Sequence, residues 1–200
     1  AGLVPMHTWL PDAHSESPSV VSALLSGALL NCALLGVLRL LEVCTAAGLG
    51  VWAGGLMRGF GLLSMAVAAG FLLGQPDFKR LLAYSSVEHM GILCLGVGLG
   101  SAGTFGALLH AVNHSLTKAM LFLVSGNILG AYRSKKVRDV RGLSSALPVS
   151  GVLWLGGFLA ITGMPPFGTF VSEFSILRAA LDAHHPWVAA AYLAVCGRLA

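Results

Sequence analysis

The residues best suited to acid–base chemistry lie in the segment HAVNHSLTKAMLF, where His110, His114 and Lys118 recur every four positions. At about 100° per residue, a four-residue step drifts by only about 40°, so the three side chains share one helix face over roughly 12 Å. Asn113 falls near the same face. Ionisable residues in an otherwise apolar helix usually face a protein interior or a hydrated cavity, so these are candidate functional residues.

These residue types are suited to moving protons. Histidine titrates near neutral pH, and its two ring nitrogens can accept a proton on one side and donate one on the other. A lysine removed from water loses much of its preference for the charged form, so it can take up and release a proton. A carboxylate follows the motif GMPPFGTF downstream. The sequence therefore predicts a proton-transfer row of four side chains: His110, His114, Lys118 and Glu173.

Two other roles stay open for this row. Buried polar side chains also hold membrane helices together by hydrogen bonds, without titrating. Histidines four residues apart can bind zinc, but Ala111 stands where the H-E-x-x-H motif has Glu. We therefore expect no metal. Four cysteines are scattered without a C-x-x-C pair and predict no metal site, disulfide framework or iron–sulfur cluster: Cys32, Cys44, Cys94 and Cys196.

A second group of ionisable residues, Glu88 and His89, lies in AYSSVEHMG, about two turns into an apolar run. They either extend the row towards the cytoplasm or pair with an interface cation such as Lys79 or Arg80. Three ionisable residues precede the first long apolar run and are expected in a hydrated loop, as helix caps and solvated side chains: Asp12, His14 and Glu16.

Composition shows which elements must position these residues. Hydrophobic residues make up 56% of the chain and charged residues only 10%, against roughly 25% charged in ordinary soluble domains. The apolar runs predict transmembrane helices, since about 20 residues span a bilayer. They cover about 17–41, 51–74, a third run from QPDFKR to 100, 104–129, 147–181 with a break at Pro165 and Pro166, and a sixth from 186. The predicted fold class is all-α, a polytopic transmembrane helix bundle with a proline-broken helix.

Basic residues predict the orientation of the bundle. Five of the twelve lie between Arg133 and Arg141, as in a cytoplasmic loop, which disfavours nucleic-acid binding as the reason for the net charge of +4. If the spans alternate in direction, seven basic residues fall at one end and three at the other. We therefore expect the loop 130–146 to be cytoplasmic. The first residues lack Met and the last lie within an apolar run, so we expect one membrane domain, 1–200, truncated at both ends.

Four segments, in order, resemble the antiporter-like proton-translocating subunits shared by complex I, the Mrp cation/proton antiporters and membrane-bound nickel-iron hydrogenases. They are PMHTWLPDAHSESPSVVSALLSGALLN, QPDFKRLLAYSSVEHMG, HAVNHSLTKAMLFLVSGNI and GMPPFGTFVSEF. The first looks most like the hydrogenase-4 and formate hydrogenlyase branch. The resemblance implies a fourteen-helix fold with two inverted five-helix repeats, of which this chain would hold the end of helix 7 through the start of helix 13.

The resemblance also implies roles for individual residues. His110, His114 and Lys118 match the central relay on helix 11, and Glu173 matches the ionisable residue after the break in helix 12. Asn31 occupies a helix 8 position where some relatives carry lysine, so water or its amide would have to connect the half-channels. The lysine of helix 7 normally lies a few residues before the position of Pro5, outside this sequence.

The function implied is that of a proton-translocating subunit in the inner membrane, driven by electron transfer in partner subunits of a hydrogenase-4-like or complex I-like assembly. Such a subunit binds no redox cofactor and has no catalytic centre of its own. An Mrp-type sodium/proton antiporter subunit is the alternative, so the ion is either the proton or sodium. A third hypothesis is a membrane scaffold whose polar residues only fix helix packing.

Overall fold

The computed structural model describes residues 2–197, which form ten α-helices, one π-helical turn at Leu25–Leu29 and one short 3₁₀ turn at Val137–Asp139. The α-helices are α1 Trp9–Glu16, α2 Ser19–Leu24, α3 Leu30–Ala46, α4 Gly50–Leu72, α5 Phe78–Gly98, α6 Ser101–Tyr132, α7 Leu143–Ala146, α8 Pro148–Ile161, α9 Gly168–Asp182 and α10 Pro186–Cys196. Within residues 2–197, an isolated bridge between Asp77 and Lys136 is the one β-type pairing, and the predicted all-α class is confirmed.

Four helical segments are long and apolar enough to cross a membrane: Ser19–Ala46, Gly50–Leu72, Phe78–Gly98 and Ser101–Tyr132. They correspond to the first four predicted runs, and α8 and α10 are shorter apolar helices. The first span continues past its predicted end at 41, as far as Ala46, and carries an exposed ion pair between Arg39 and Glu42 at 2.9 Å. The chain is a multi-pass membrane bundle, as predicted.

Helix α5 lies at the centre of this bundle. Nearly all of its side chains are buried, and it packs against α1, α4 and α6. It begins where the Asp77 carboxylate accepts hydrogen bonds from the backbone N–H groups of Lys79 at 2.8 Å and Arg80 at 3.2 Å. This N-cap satisfies two N–H groups that the first turn of a helix leaves unpaired.

Glycines allow α4 and α5 to approach at backbone distance. A Cβ on Gly91 would lie 2.7 Å from the Gly61 carbonyl oxygen, and a Cβ on Gly98 would lie 2.8 Å from that of Gly54. Any side chain at these positions would force the helices apart. Small residues spaced along a helix make such close contacts between membrane helices possible.

The predicted break in the fifth apolar run is confirmed. Helix α8 ends at Ile161 and α9 begins at Gly168, with Pro165 and Pro166 in the turn between them. Neither proline can donate a backbone hydrogen bond, and the ring of each opposes helical geometry in the residue before it. The residues from Met164 to Pro166 are exposed, and Gly163 and Phe167 on either side are half-buried.

The two basic segments meet at one end of the bundle. The backbone N–H of Phe78 donates to the Lys135 carbonyl at 3.1 Å, and that of Val137 donates to the Pro76 carbonyl at 2.9 Å. The Lys135 ammonium donates to the Ser15 carbonyl at 2.8 Å. The start of α5, the loop after α6 and the end of α1 therefore form one surface.

Candidate functional site

The side chains of His110, His114 and Lys118 share one face of α6, and each is 0% exposed. The helix runs without interruption over 32 residues, about 48 Å at 1.5 Å per residue. Ionisable groups at this depth are costly, so they need partners on neighbouring helices. His110 and Lys118 have such partners on α5 and α9, whereas neither ring nitrogen of His114 has a hydrogen-bond partner among the described residues.

His89 on α5 lies between the two histidines of α6. Its Nδ1 is 2.9 Å from His110 Nε2. Its ring centroid is 5.0 Å from that of His110 and 5.1 Å from that of His114, whereas the latter two are 6.4 Å apart. The route with the shorter individual steps between the α6 histidines therefore passes through His89, for which the sequence predicted only a possible supporting role.

Helix α9 joins this cluster through two consecutive residues. His110 Nδ1 is 2.9 Å from Ser172 Oγ, whose hydroxyl donates to the Thr169 carbonyl at 2.8 Å. One carboxylate oxygen of Glu173 and one ring nitrogen each of His89 and His110 all lie within 4.8 Å of one another. The structure therefore brings Glu173 to the histidines, as the predicted row requires.

The helix break positions the Glu173 carboxylate. Gly163, in the turn after α8, has φ +68°, and a Cβ added to it would overlap the carboxylate. Glycine is favoured at this φ, and its missing side chain leaves the space that Glu173 occupies. The backbone of the turn thus forms one wall of the site.

Lys118 contacts α5 by a different route. Its ammonium donates to the Leu82 carbonyl at 2.6 Å. The same carbonyl accepts from Ser86 Oγ at 3.1 Å, and Ser86 Oγ is 2.9 Å from Ser26 Oγ in the π-helical turn. All these groups are buried. A hydrogen-bonded series therefore runs from Lys118 across α5 to the first span.

Asn31 is not part of that series. Its amide donates to Ser115 Oγ and to the carbonyls of Gly27 at 3.3 Å and Ala111 at 3.5 Å. Ser115 lies about a quarter turn around α6 from His114. None of the hydrogen bonds found for Asn31 among the described residues reaches the predicted row.

Asn113 faces the break instead. Its side-chain amide packs against Gly168, the first residue of α9. A Cβ added to Gly168 would lie only 2.7 Å from Asn113 Oδ1. The contact holds α6 against the start of α9, two turns of helix or less from Ser172 and Glu173. Asn113 therefore supports the position of α9.

A cavity of about 210 Å³ opens beside the cluster, and Glu88, His89 and Glu173 line it. Glu88 is 7% exposed. Two carboxylates from different helices thus face one space next to the histidines. Glu88 and His89 therefore lie beside the histidines of the row, and their part in the predicted path towards the cytoplasm stays a prediction.

The interface cations have other partners. The Lys79 ammonium donates to the Ser17 carbonyl at 2.6 Å, and the Arg80 guanidinium pairs with the exposed Asp12 carboxylate. These contacts join the start of α5 to α1 and to the turn that follows it. The alternative that pairs Glu88 with Lys79 or Arg80 is not found.

The expectation of a hydrated loop was wrong for His14. The residue lies in α1, outside the four spans, yet it is 0% exposed, and its ring stacks on Phe122 at 4.8 Å between centroids. Neither of its ring nitrogens has a partner among the described residues. Burial, with added effects of the charges on Lys118 and Lys79, lowers the pKa of His14 to about 4. Asp12 and Glu16, by contrast, are exposed as expected.

Two hydroxyl groups of this site, Ser86 and Ser172, were not predicted from the sequence. Each lies in an apolar helix, where serine is common as a small packing residue. A signal was present at Ser86, three residues before His89, because residues three apart share a helix face.

A family model described as "NADH:quinone oxidoreductase/Mrp antiporter, TM" matches residues 1–197. The chain is 46% identical to the hydrogenase-4 component F homolog of Methylacidiphilum infernorum, over 94% of this chain and 40% of that protein. It is 35% identical to hydrogenase-4 component B of Escherichia coli, over 100% of this chain and 33% of that protein. It is 31% identical to formate hydrogenlyase subunit 3 of the same species, over 90% of this chain and 31% of that protein. The chain therefore spans two fifths or less of these curated relatives.

Two solved structures have the same fold. A chain of the membrane-bound sulfane sulfur reductase, an archaeal respiratory membrane complex, matches with a TM-score of 0.92 and 25% identity over 98% of this chain and 41% of that chain. A chain of respiratory complex I from Thermus thermophilus matches with a TM-score of 0.86 and 32% identity, over 98% of this chain and 42% of that chain. The predicted resemblance is confirmed, and the chain belongs to the NADH:quinone oxidoreductase/Mrp antiporter transmembrane family.

Proposed function

We propose that this chain carries protons across the membrane through a relay of buried side chains. The observation that supports this most strongly is the succession of ionisable groups on three helices. Lys118 and His114 are one turn apart on α6, and the His114 ring lies 5.1 Å from that of His89. His89 contacts His110 at 2.9 Å, and Glu173 is beside both. The relay so defined is Lys118, His114, His89, His110 and Glu173.

The step between His89 and His110 has a direct chemical basis. A histidine that receives a proton on one ring nitrogen can release another from the second, so His89 and His110 can pass a proton along their hydrogen bond. Neither ring nitrogen of His114 has a hydrogen-bond partner among the described residues, so the steps on either side of His114 would need a bridging water. Glu173 and Glu88 line the cavity, where either carboxylate can accept a proton. At the other end, Ser86 shares the Leu82 carbonyl with Lys118, so its hydroxyl helps to position the lysine.

The chain is proposed to act as one subunit of a larger assembly of the hydrogenase-4 or complex I type. Electron transfer in partner subunits would drive its proton transport, and it would bind no redox cofactor itself. We infer that it corresponds to the end of helix 7 through the start of helix 13 of a fourteen-helix subunit. Its membrane is proposed to be the inner membrane, with the basic loop 130–146 in the cytoplasm.

Two substitutions in the full-length protein test the proton relay. Lys118→Ala and Glu173→Gln each remove one titrating group and are expected to abolish proton transport, measured with a pH-sensitive dye in membrane vesicles. Assembly of the complex is expected to stay intact. Lys136→Ala and Glu42→Gln, which change exposed residues of the same types, are the matched controls. Normal transport by both relay variants would favour the scaffold hypothesis instead.

Sodium/proton antiport is the second candidate, because the matching family model covers Mrp antiporters as well. The relay would then serve the proton half of an exchange. Transport that requires sodium and proceeds without any redox partner would identify this function. Proton transport that requires electron transfer and is insensitive to sodium would identify the redox-driven one.

A further inference from the structure

We propose that His89, His110 and Glu173 form a binding site for a divalent transition-metal ion of the zinc type, and that the bound ion blocks the proton relay. The binding itself follows from geometry alone, whereas the block rests on the proposed function. The metal is an inhibitor in this proposal and takes no part in transport.

The three side chains supply a suitable set of ligand atoms. One nitrogen from each ring and one carboxylate oxygen lie within 4.8 Å of one another. Two imidazoles and a glutamate are a ligand set found at zinc sites with an open fourth position, where each ligand atom lies about 2.0–2.2 Å from the metal. In a tetrahedron, such ligand atoms are about 3.3 Å apart. The His89 and His110 nitrogens, now 2.9 Å apart, need to separate by only a few tenths of an ångström.

A second contact orients one ligand. His110 Nδ1 lies 2.9 Å from Ser172 Oγ, so the Nδ1 hydrogen can be donated to this hydroxyl while Nε2 presents its lone pair to the metal. Histidine ligands usually make such a hydrogen bond through their other nitrogen, and its loss weakens metal binding about 10–100-fold. The ligands also come from three packed helices, α5, α6 and α9, which fix their positions.

The surroundings provide charge and access. The cavity of about 210 Å³ is lined by both His89 and Glu173, so a hydrated ion can reach them through it. Glu88 lines the same cavity, so two carboxylates are available to balance the charge of a divalent ion. Imidazole ligands favour zinc, copper or nickel over magnesium and calcium, which prefer oxygen ligands.

The expected consequence is competition between metal and proton. A metal held by His89 and His110 takes one nitrogen of each ring. An imidazole nitrogen bound to a metal cannot also accept or donate a proton, and a histidine needs both nitrogens to relay one, so the step between His89 and His110 is closed. The sequence analysis considered only the i, i+4 pair of α6, because the cluster that can bind a metal is assembled from separate helices.

The test uses the full-length protein, titrated with Zn²⁺ by calorimetry and with Co²⁺ by its visible absorption. Binding is expected to weaken at least tenfold in Glu173→Gln, which keeps the shape of the side chain, and in His89→Ala. Ser172→Ala is expected to weaken binding while retaining all three ligands. It therefore tests the site even if Glu173→Gln or His89→Ala fails to fold. His184→Asn removes an exposed imidazole outside the cluster and is expected to bind as the unchanged protein does.

Unchanged binding in Glu173→Gln, His89→Ala and Ser172→Ala would overturn the site, because the metal would then bind elsewhere. Inhibition of proton transport by Zn²⁺ is the expected functional result, and Ser172→Ala is expected to need at least tenfold more Zn²⁺ for the same fractional inhibition, measured against its own transport without metal. Zinc binding at the cluster without any effect of Lys118→Ala on transport would overturn the proposed relay and leave the metal site standing. Relay-dependent transport without zinc binding would overturn the metal site alone.

Discussion

The place of His89 in this site is determined by the helices that pack around it. Its sequence position places it on a helix separate from the row of His110, His114 and Lys118. In the fold its ring lies within 5.1 Å of both histidines of α6, so it connects them. Periodicity along α6 revealed which residues share a face, but it contained no information on what packs against that face.

Gly163 provides the first residue-scale prediction. Gly163→Ala is expected to displace the Glu173 carboxylate and abolish proton transport, although every titrating residue remains. Gly74→Ala is the matched control, since Gly74 has φ +83° and no atom within 4 Å of an added Cβ. Both variants carry a similar backbone strain of about 1–3 kcal/mol. Equal transport by the two variants, measured in vesicles and compared with thermal stability, would contradict this assignment.

Ser86 provides the second prediction at this scale. Ser86→Ala removes the hydroxyl that shares the Leu82 carbonyl with Lys118, so the contact of the lysine with α5 changes and proton transport is expected to slow several-fold. Asn31→Ala is expected to change transport little, since Asn31 contacts Ser115 on another face of α6. The rates of both variants are measured at equal protein content in the vesicles. Slower transport in Asn31→Ala than in Ser86→Ala would favour a connection between the half-channels through the Asn31 amide.

At the scale of elements, hydropathy was sufficient to predict the spans and the break. Four long apolar segments lie where they were expected, because burial in a bilayer imposes length and apolarity on each helix separately. The turn at Pro165 and Pro166 followed from proline geometry, which is also local. The π-helical turn at Leu25–Leu29 had no such local signal and was not predicted.

The glycine contacts between α4 and α5 lead to a prediction about helix packing. Gly91→Ala places a Cβ 2.7 Å from the Gly61 carbonyl, so the helices must separate, at an expected cost of about 1–3 kcal/mol of unfolding free energy. Gly59→Ala, on the same pair of helices but with open space around the added Cβ, is expected to leave stability unchanged or raise it. Thermal unfolding of the two variants in detergent compares them. A Gly91→Ala protein as stable as the unchanged one would rule out a tight contact.

For the whole molecule, the hardest features to predict were contacts between distant segments. The hydrated-loop expectation for His14 failed because α1 folds back on α6 and buries the ring against Phe122. The link of Lys118 to Ser26 likewise joins α6, α5 and the first span. Such contacts depend on how helices pack together, which the hydropathy of each helix does not determine. Family resemblance supplied roles for His110, His114, Lys118 and Glu173, but not the geometry that joins them.

Orientation gives a prediction for the whole molecule. In a cysteine-free background, Lys136→Cys is expected to react with a membrane-impermeant maleimide from the cytoplasmic side only. Ser101→Cys, at the opposite end of α5 and α6, is expected to react from the other side only; both positions are exposed. Labelling of sealed vesicles of the two orientations distinguishes the sides. Reversed labelling would contradict the proposed cytoplasmic position of the loop 130–146.

The unbroken course of α6 also has a mechanical consequence. A continuous helix of 32 residues fixes the spacing of His110, His114 and Lys118 along its axis. Helix α9, in contrast, begins at a turn that contains Gly163 and two prolines and carries Glu173 near that hinge. Any motion that opens or closes the path must therefore change the distances between helices. The simplest such motion moves α9, with Glu173, relative to an unchanged α6.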